Sequence, residues 1–462
     1  MGAAHGVRDA GRCTGVNVRH LRTLAALALG CALGACGSAA PRSTIGRSGT
    51  GAAPAGLRLA PARLAVAAAN ARGPFATARS LMIPRGWRIE TWALVPNARF
   101  MAWTPQSTLL VSDPYDGTVV ELTPAPNPAA APSARVLIAN LTMPQGLAFD
   151  TVGGQIVLYV AQSDEIDRYV WSGPAVLGAR TVIARGLPDT DARGDDVHRL
   201  KTLVIGADHR IDVGIGSADN ASAADIAGEP PRASVVSYPP SGGAPSVLAR
   251  GVRNAEGLAV APDGSLWAAV NERDEMPYPF HGAYGSTANA YGRVIRAYVN
   301  EHPPDEIARL TPGRDLGWPY CDPDPARGDA NLGWDEDPQT NAGGSVLDCA
   351  KLAPLERGLP AHSAPLGFHF LDGSALPSSL TAGAVLAVHG SWDRQPPRAP
   401  AVLWLPWSGA AHTLGAPVML VGGFQAPGGG RFGRPVDAVP GPDGSLYISD
   451  DTAGAIYRLT PP

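Results

Sequence analysis

The chain lacks a basic stripe, a long run of one charge sign and an apolar stretch long enough to span a membrane comfortably. Only 17% of its 462 residues are charged, and the formal net charge is -4. Nothing in that distribution would neutralise a phosphate backbone, so nucleic acid is excluded as a main partner. Cysteine is scarce, with 5 in all, and neither a CxxC metal knuckle nor a CxxCH haem-attachment motif occurs. The chain therefore carries no c-type haem of its own. What it has in quantity is Gly (55) and Pro (45), spread along its length. That composition argues against a helical protein and for many short strands joined by turns. The length admits one large domain or two or three ordinary ones.

The N-terminus reads as an address. Arg8, Arg12, Arg19 and Arg22 precede an apolar run from Leu24 to Leu33, and Leu33-Gly34-Ala35-Cys36 follows. A basic region, a short apolar core and small residues before a cysteine make a secretory signal over residues 1–35. The ending has the pattern of a bacterial lipobox, with Cys36 acylated as the mature N-terminus. The chain is then expected in the periplasm or cell envelope, anchored to a membrane by lipid. Residues 36–80, rich in Ala, Gly, Pro, Ser and Arg, read as a flexible linker, with a short helix possible over Pro61 to Ala69. Cys13 and Cys31 leave with the signal, so Cys321 and Cys349 remain as a pair. In an oxidising compartment they are expected to form a disulfide closing a loop of little strand character.

A unit recurs through residues 81–462: an alternating apolar run, a tight turn, a second run, then a third. The clearest copies are Gly257 to Val270 and Pro435 to Ser449, both passing through Pro-Asp-Gly-Ser. Weaker copies start near Phe100, Gly146, Thr202 and Pro365, which makes six. A small sheet cannot bury both its faces alone, whereas sheets packed around an axis can. The expected fold is all-β, a six-bladed β-propeller of four-stranded antiparallel sheets. Long inserts, Glu275 to Pro304 and Gly317 to Ala364, would lengthen loops on one face. The ten tryptophans are expected mainly to pack between blades.

Four polar stretches stand between the apolar runs. Asp195-Asp196 lies beside His198, a carboxylate–histidine pairing suited to a general base. Arg253-Asn254 offers a planar cationic fork and an amide. Asn271-Glu272-Arg273-Asp274 offers carboxylates and carbonyls to a hard cation such as Ca²⁺. His389 to Arg394, with Arg434 on the last copy, could bring two arginines to a polyanion at the axis. For each stretch a structural role, through loop ion pairs and blade-to-blade hydrogen bonds, stands beside the functional one.

Taken together these strings resemble the PQQ-dependent sugar dehydrogenases, and most closely the L-sorbosone dehydrogenase branch. The matching pieces are His198 to Leu203, Arg253 to Ala259, Val270 to Asp274, Leu316 to Cys321, Ala361 to Gly367, His389 to Arg394 and Gly433 to Val436, in that order. The resemblance implies PQQ, a tricarboxylate ortho-quinone, bound over the axis with Ca²⁺ on the backbone carbonyls of Arg273 and Asp274. It implies His198, aided by Asp196, as the base that takes the substrate hydroxyl proton. Arg253, Asn254, Glu272, His389, Arg394 and Arg434 would contact the cofactor. The substrate would be a sugar, a sugar aldehyde or a related hydroxy compound, with a separate electron acceptor. Glucose-oxidising members carry Gly-Pro at the calcium-holding position where Arg273-Asp274 falls, and the insert from Glu275 to Pro304 lengthens a site-face loop, so substrate identity does not carry over. Two other readings remain open: a lactonase-type hydrolase with a metal held by Glu256, Asn271 and Asp437, and a binding lipoprotein without chemistry.

Overall fold

The computed structural model describes residues 57–190 and 198–462. The signal segment, Cys36, the linker up to residue 56 and Asp195-Asp196 lie outside the described residues. No helix among the described residues is long and apolar enough to cross a membrane.

The repeats form six sheets, each with four antiparallel strands at its centre. The first blade comprises Met101–Trp103, Leu109–Asp113, Thr118–Thr123 and Ser133–Ile138. The second runs from Leu147–Val152 to Val176–Arg185, and the third from Leu203–Ile205 to Ser246–Arg250. The fourth joins Ala255–Val260, Leu266–Val270, Asp305–Leu310 and Leu355–Leu359. The fifth is Pro365–Phe370, Gly383–Val388, Ala401–Ser408 and Val418–Val421. The sixth takes three strands from the C-terminus, Pro435–Pro440, Leu446–Asp450 and Ala455–Thr460, and its fourth from Arg88–Leu94. This exchange between chain ends closes the ring.

Local chemistry explains the hairpins. In the fourth blade Gly264 takes φ 81° and its N–H donates to Ala261 O, while the Asp263 carboxylate accepts from the Ser265 N–H at 3.0 Å. The same turn recurs at Asp443, Gly444 and Ser445. Asp ties the turn and Gly supplies the left-handed step.

The apolar faces meet between neighbouring blades. Leu110, Leu147 and Leu158 fill the seam between blades one and two. Tyr159 and Ile211 fill the next, followed by Val235 with Leu258, Trp267 with Phe368, and Trp404 with Tyr457. Trp92, Tyr447 and Leu109 then join the sixth blade to the first. Trp267 is fully buried, as expected of a packing tryptophan, whereas Trp392 is 71% exposed.

Two expectations need correction. The segment read as linker is folded from Leu57 onward. Leu59–Arg63 pairs with Ser80–Pro84, and Ala65–Val66 pairs with Glu90 and Thr91. Leu57, Leu64 and Phe75 are buried in the core beside the last blades, so burial of three apolar side chains overrides a tether-like composition. The helix expected over Pro61 to Ala69 is replaced by paired strands as far as Val66, where edge pairing satisfies the backbone, and only a 3₁₀ turn, Ala68–Asn70, begins within it. The second correction concerns the disulfide loop. Cys321 and Cys349 are bonded, and the loop does contain strands. Cys321–Asp324 and Ala330–Glu336 extend the fourth blade through Leu355–Leu359.

Candidate active site

In every blade the start of the first strand and the end of the second lie at the same end of the sheet, because the two are antiparallel neighbours. The polar stretches all precede a first strand or follow a second one. They therefore gather on one face of the propeller.

At the axis, residues from all six blades form one polar network. Arg99, leading into the first blade, donates from Nε and Nη2 to Gln145 Oε1 at 3.0 and 2.8 Å, and from Nη1 to Asp451 Oδ2 at 3.1 Å. Gln145 Nε2 donates to Glu256 Oε2 at 2.7 Å and to Thr202 Oγ1 at 3.2 Å. Arg99 also pairs with Glu256 at 3.5 Å. His389 Nε2 meets Asp451 Oδ1 at 2.9 Å, and Arg434 donates to the carbonyls of His389 and Gly390. Against the upward push of burial, His389 and Arg99 hold the Asp451 carboxyl well below the usual range. Burial takes the His389 ring down to about 4 despite Asp451, with Arg434 and Arg99 adding to it. The neutral ring thus donates Nε2–H to an ionised Asp451. Arg99, Gln145 and Asp451 belong to no motif, and sequence reasoning missed them. The only signal was a polar residue just ahead of a first strand, at Arg99 and Gln145, or just after a second one, at Asp451.

His198 stands to one side of this network. Its Nδ1 is 2.9 Å from Ser217 O and 3.0 Å from Ser217 Oγ. A carbonyl only accepts, so Nδ1 carries the hydrogen. Nε2 then bears the lone pair, and it has no hydrogen-bond partner among the described residues. Burial, then Arg253, Arg232 and Lys201, push the ring down to about 3. It is therefore neutral at ordinary pH. Its carboxylate partner in the sequence, Asp196, lies outside the described residues, and Ser217 is the residue that orients the ring. Gly216 allows the approach: a Cβ there would stand 2.5 Å from both His198 Cβ and Asn254 Oδ1. Asn254 is thereby brought beside His198. Lys201 is fully buried and donates to Arg199 O at 2.7 Å, which holds the His198 loop in place. Burial lowers its ammonium to about 7.

The other predicted contacts are engaged by the protein. Arg253 donates to the carbonyls of Asn271 and Glu272 at 3.1 and 2.7 Å, and to the Asn220 side chain at 3.1 Å. It braces the third blade against the fourth. Glu272 is buried beside Asp305, and burial pushes its carboxyl up to about 8. Arg273 pairs with Asp337 and donates to Gln339, anchoring the disulfide loop. Arg394 pairs with Glu301 and donates to the carbonyls of Asn300 and Pro396. Of the two carbonyls expected to hold calcium, that of Asp274 accepts from Asn220 Nδ2 at 2.7 Å, and that of Arg273 accepts from no described residue.

The residues imagined around an axial hydrolytic metal do not converge on one point. Asp437 accepts from Met101 N and His369, Asn271 donates to Pro365 O, and Glu256 belongs to the axial network.

The residues fit a bound polyanion. Arg253, Arg232 and Lys201 crowd His198, and Arg99 and Arg434 crowd His389. Asp274 stands 4.0 Å from Arg253, and Asp451 and Glu256 pair with Arg99. The Arg434 side chain hydrogen-bonds only to backbone carbonyls among the described residues and is the cation best placed for a ligand carboxylate. A tricarboxylate quinone would supply that carboxylate.

Comparison with known proteins gives the same architecture. The holo form of the PQQ domain of a pyranose dehydrogenase from Coprinopsis cinerea superposes with a TM-score of 0.64. It is 21% identical, over 82% of this chain and 97% of that one. The calcium structure of a Trichoderma reesei carbohydrate-active enzyme of family AA12 gives 0.65 at 18% identity, over 83% and 97%. At such identities the likeness speaks for the fold. A relative from Borreliella burgdorferi, an uncharacterized protein, is 32% identical over 158 residues, which are 34% of this chain and 39% of that protein. A family described as TrAA12-like matches residues 81–462, the whole propeller with its closing strand, and the chain belongs to that family.

Proposed function

We propose that the chain is a quinoprotein sugar dehydrogenase. It would oxidise a sugar, sugar aldehyde or related hydroxy compound, with PQQ as hydride acceptor over the axis. The observation that carries this reading is His198. It is a neutral imidazole, fixed through Nδ1–H by Ser217, with an Nε2 lone pair that no described residue engages and with Arg253, Arg232 and Lys201 close by. Similarity to the PQQ domain of a pyranose dehydrogenase and to an AA12 enzyme in its calcium form supports it.

When bound, PQQ supplies an electrophilic quinone that takes up hydride. The chain's own residues do the rest. His198 Nε2 accepts the substrate hydroxyl proton, and Ser217 O stabilises the imidazolium through Nδ1–H. An anion beside His198 offsets the fields of Arg253, Arg232 and Lys201, and so raises the ring's basicity when it is needed. Asn254 offers an amide beside His198, and Arg434 keeps a cation at the axis. The carbonyls of Arg273 and Asp274 would hold Ca²⁺, which would supply a Lewis acid to the site. The electrons leave to a separate acceptor. Export through the N-terminal signal and lipid attachment at Cys36 would place this activity in the cell envelope.

The test is dye reduction by PQQ-reconstituted protein with aldoses and sugar aldehydes. His198→Gln should lower turnover by ~10²–10⁴ while circular dichroism stays unchanged. Equal turnover in a folded variant contradicts the assignment.

A further inference from the structure

On the same face, three loops bring an imidazole and two carboxylates together. Asp274 follows the second strand of the fourth blade, His362 precedes the first strand of the fifth, and Asp393 follows its second strand. One ligand atom from each lies within 4.8 Å of the other two. We propose that Asp274, His362 and Asp393 bind one divalent transition-metal ion of the zinc class. The site shares Asp274 with the calcium reading, through its carboxylate where that reading uses its carbonyl, and does not rest on PQQ.

The histidine is the second, independent sign. Its ring is 9% exposed, and Nε2 meets Val299 O at 2.6 Å. A carbonyl only accepts, so Nε2 carries the hydrogen and Nδ1 is left to hold a lone pair or a proton; against burial, Asp274 and the Val299 carbonyl raise the ring's pKa. Nδ1 faces Asp274 Oδ1 at 3.7 Å, longer than a hydrogen bond and within ion-pair range. An acceptor aimed at an anionic oxygen calls for a positive charge between them. A tetrahedral zinc ion with bonds of about 2.0–2.1 Å sets its ligand atoms roughly 3.4 Å apart, near the 3.7 Å between His362 Nδ1 and Asp274 Oδ1, and the three atoms within 4.8 Å would draw in on binding.

The surroundings are built as metal ligands require. Nε2–H on a backbone carbonyl is the usual way to orient a ligating imidazole. Asp393 accepts from Glu275 N at 3.3 Å and from Arg296 at 2.6 Å, and that arginine approaches from solvent, 49% exposed. Asp274 is pinned at both backbone ends by Asn220, N–H to Oδ1 at 2.9 Å and O to Nδ2 at 2.7 Å. His362 and Glu275 take φ 60° and 50°, left-handed values that only a well-held loop sustains for side-chained residues. Imidazole is a poor ligand for calcium and a good one for zinc. Three protein ligands leave a fourth position for water. Such an ion would staple the loop at residues 271–275 to the two loops of the fifth blade.

The competing occupant of the gap is a proton, which would make His362 an imidazolium paired with Asp274. Calorimetric titration of the chelator-stripped full chain with Zn²⁺ alone, without PQQ, separates the two. The expected result is one ion per chain with micromolar or tighter affinity, together with a rise in the thermal midpoint. His362→Gln and Asp274→Asn should each weaken binding by at least ~100-fold. If the first variant does not fold, the second, at a partly exposed position, carries the comparison. A folded wild-type chain that takes up no zinc, or equal affinity in Asp274→Asn, overturns the proposal. Because no PQQ is present, neither result bears on the dehydrogenase reading.

Discussion

His198 Nδ1 lies 2.9 Å from the carbonyl oxygen of Ser217, and this one contact fixes which ring nitrogen can act as a base. It joins the loop ahead of the third blade to the loop after that blade's second strand. The approach depends on Gly216, where any Cβ would collide with His198 and Asn254. Gly216→Ala is therefore expected to displace the ring, cutting turnover at least ~10-fold for a shift on the order of 1 Å. Steady-state kinetics beside a thermal melt checks this. Full activity in the variant would show that the contact does not position the base.

Arg253 is the second cause, after burial, of the low His198 pKa. Arg253→Met removes that charge, so the His198 pKa should rise from about 3 toward its ordinary value, read by NMR titration of the ring. The same change strips donors from Asn271 O, Glu272 O and Asn220, at a cost of about 3 kcal/mol or more. An unmoved titration would mean that Arg253 does not act on the ring.

The acid stability of the fold carries the same signature. The folded state resists protonating His198 until about pH 3, whereas the unfolded chain protonates it near 6.5. Stability from this group is present above about pH 6.5 and is lost as pH falls toward 3. His198→Gln should lose less stability across that window than wild type, measured by urea unfolding at several pH values.

Packing predictions follow from the seams. Trp267, fully buried between the fourth and fifth blades, should cost about 3–5 kcal/mol when replaced by Ala. Tyr115, 70% exposed, should cost within about 0.5 kcal/mol. Replacing both Cys321 and Cys349 by Ala releases a loop of 28 residues' separation and should cost roughly 3–4 kcal/mol in the chain-entropy model. Chemical denaturation measures all three.

The six blades were legible because alternation and the Pro-Asp-Gly-Ser turn are local, and both recur. The closing strand was not, because nothing within Arg88 to Leu94 says that its partner is Ala455–Thr460 at the far end of the chain. Leu57, Leu64 and Phe75 were hidden among small residues, and only a neighbouring core gives them a place to be buried. The site was legible in part. His198 and Asn254 stood in motifs, and the structure brings them together. The partners of Arg273 and Arg394 come from inserts with no repeat pattern, so sequence could not tell an arginine held by Asp337 or Glu301 from one waiting for a ligand. Arg99, Gln145 and Asp451 are single residues whose meaning arises only where six blades meet.

The most direct test of the account is titration of the folded apo-protein with PQQ, with and without Ca²⁺, followed by absorbance. One PQQ per chain, bound more tightly with Ca²⁺ and weakened in Arg434→Ala, is the predicted result. No binding by a correctly folded chain would contradict it.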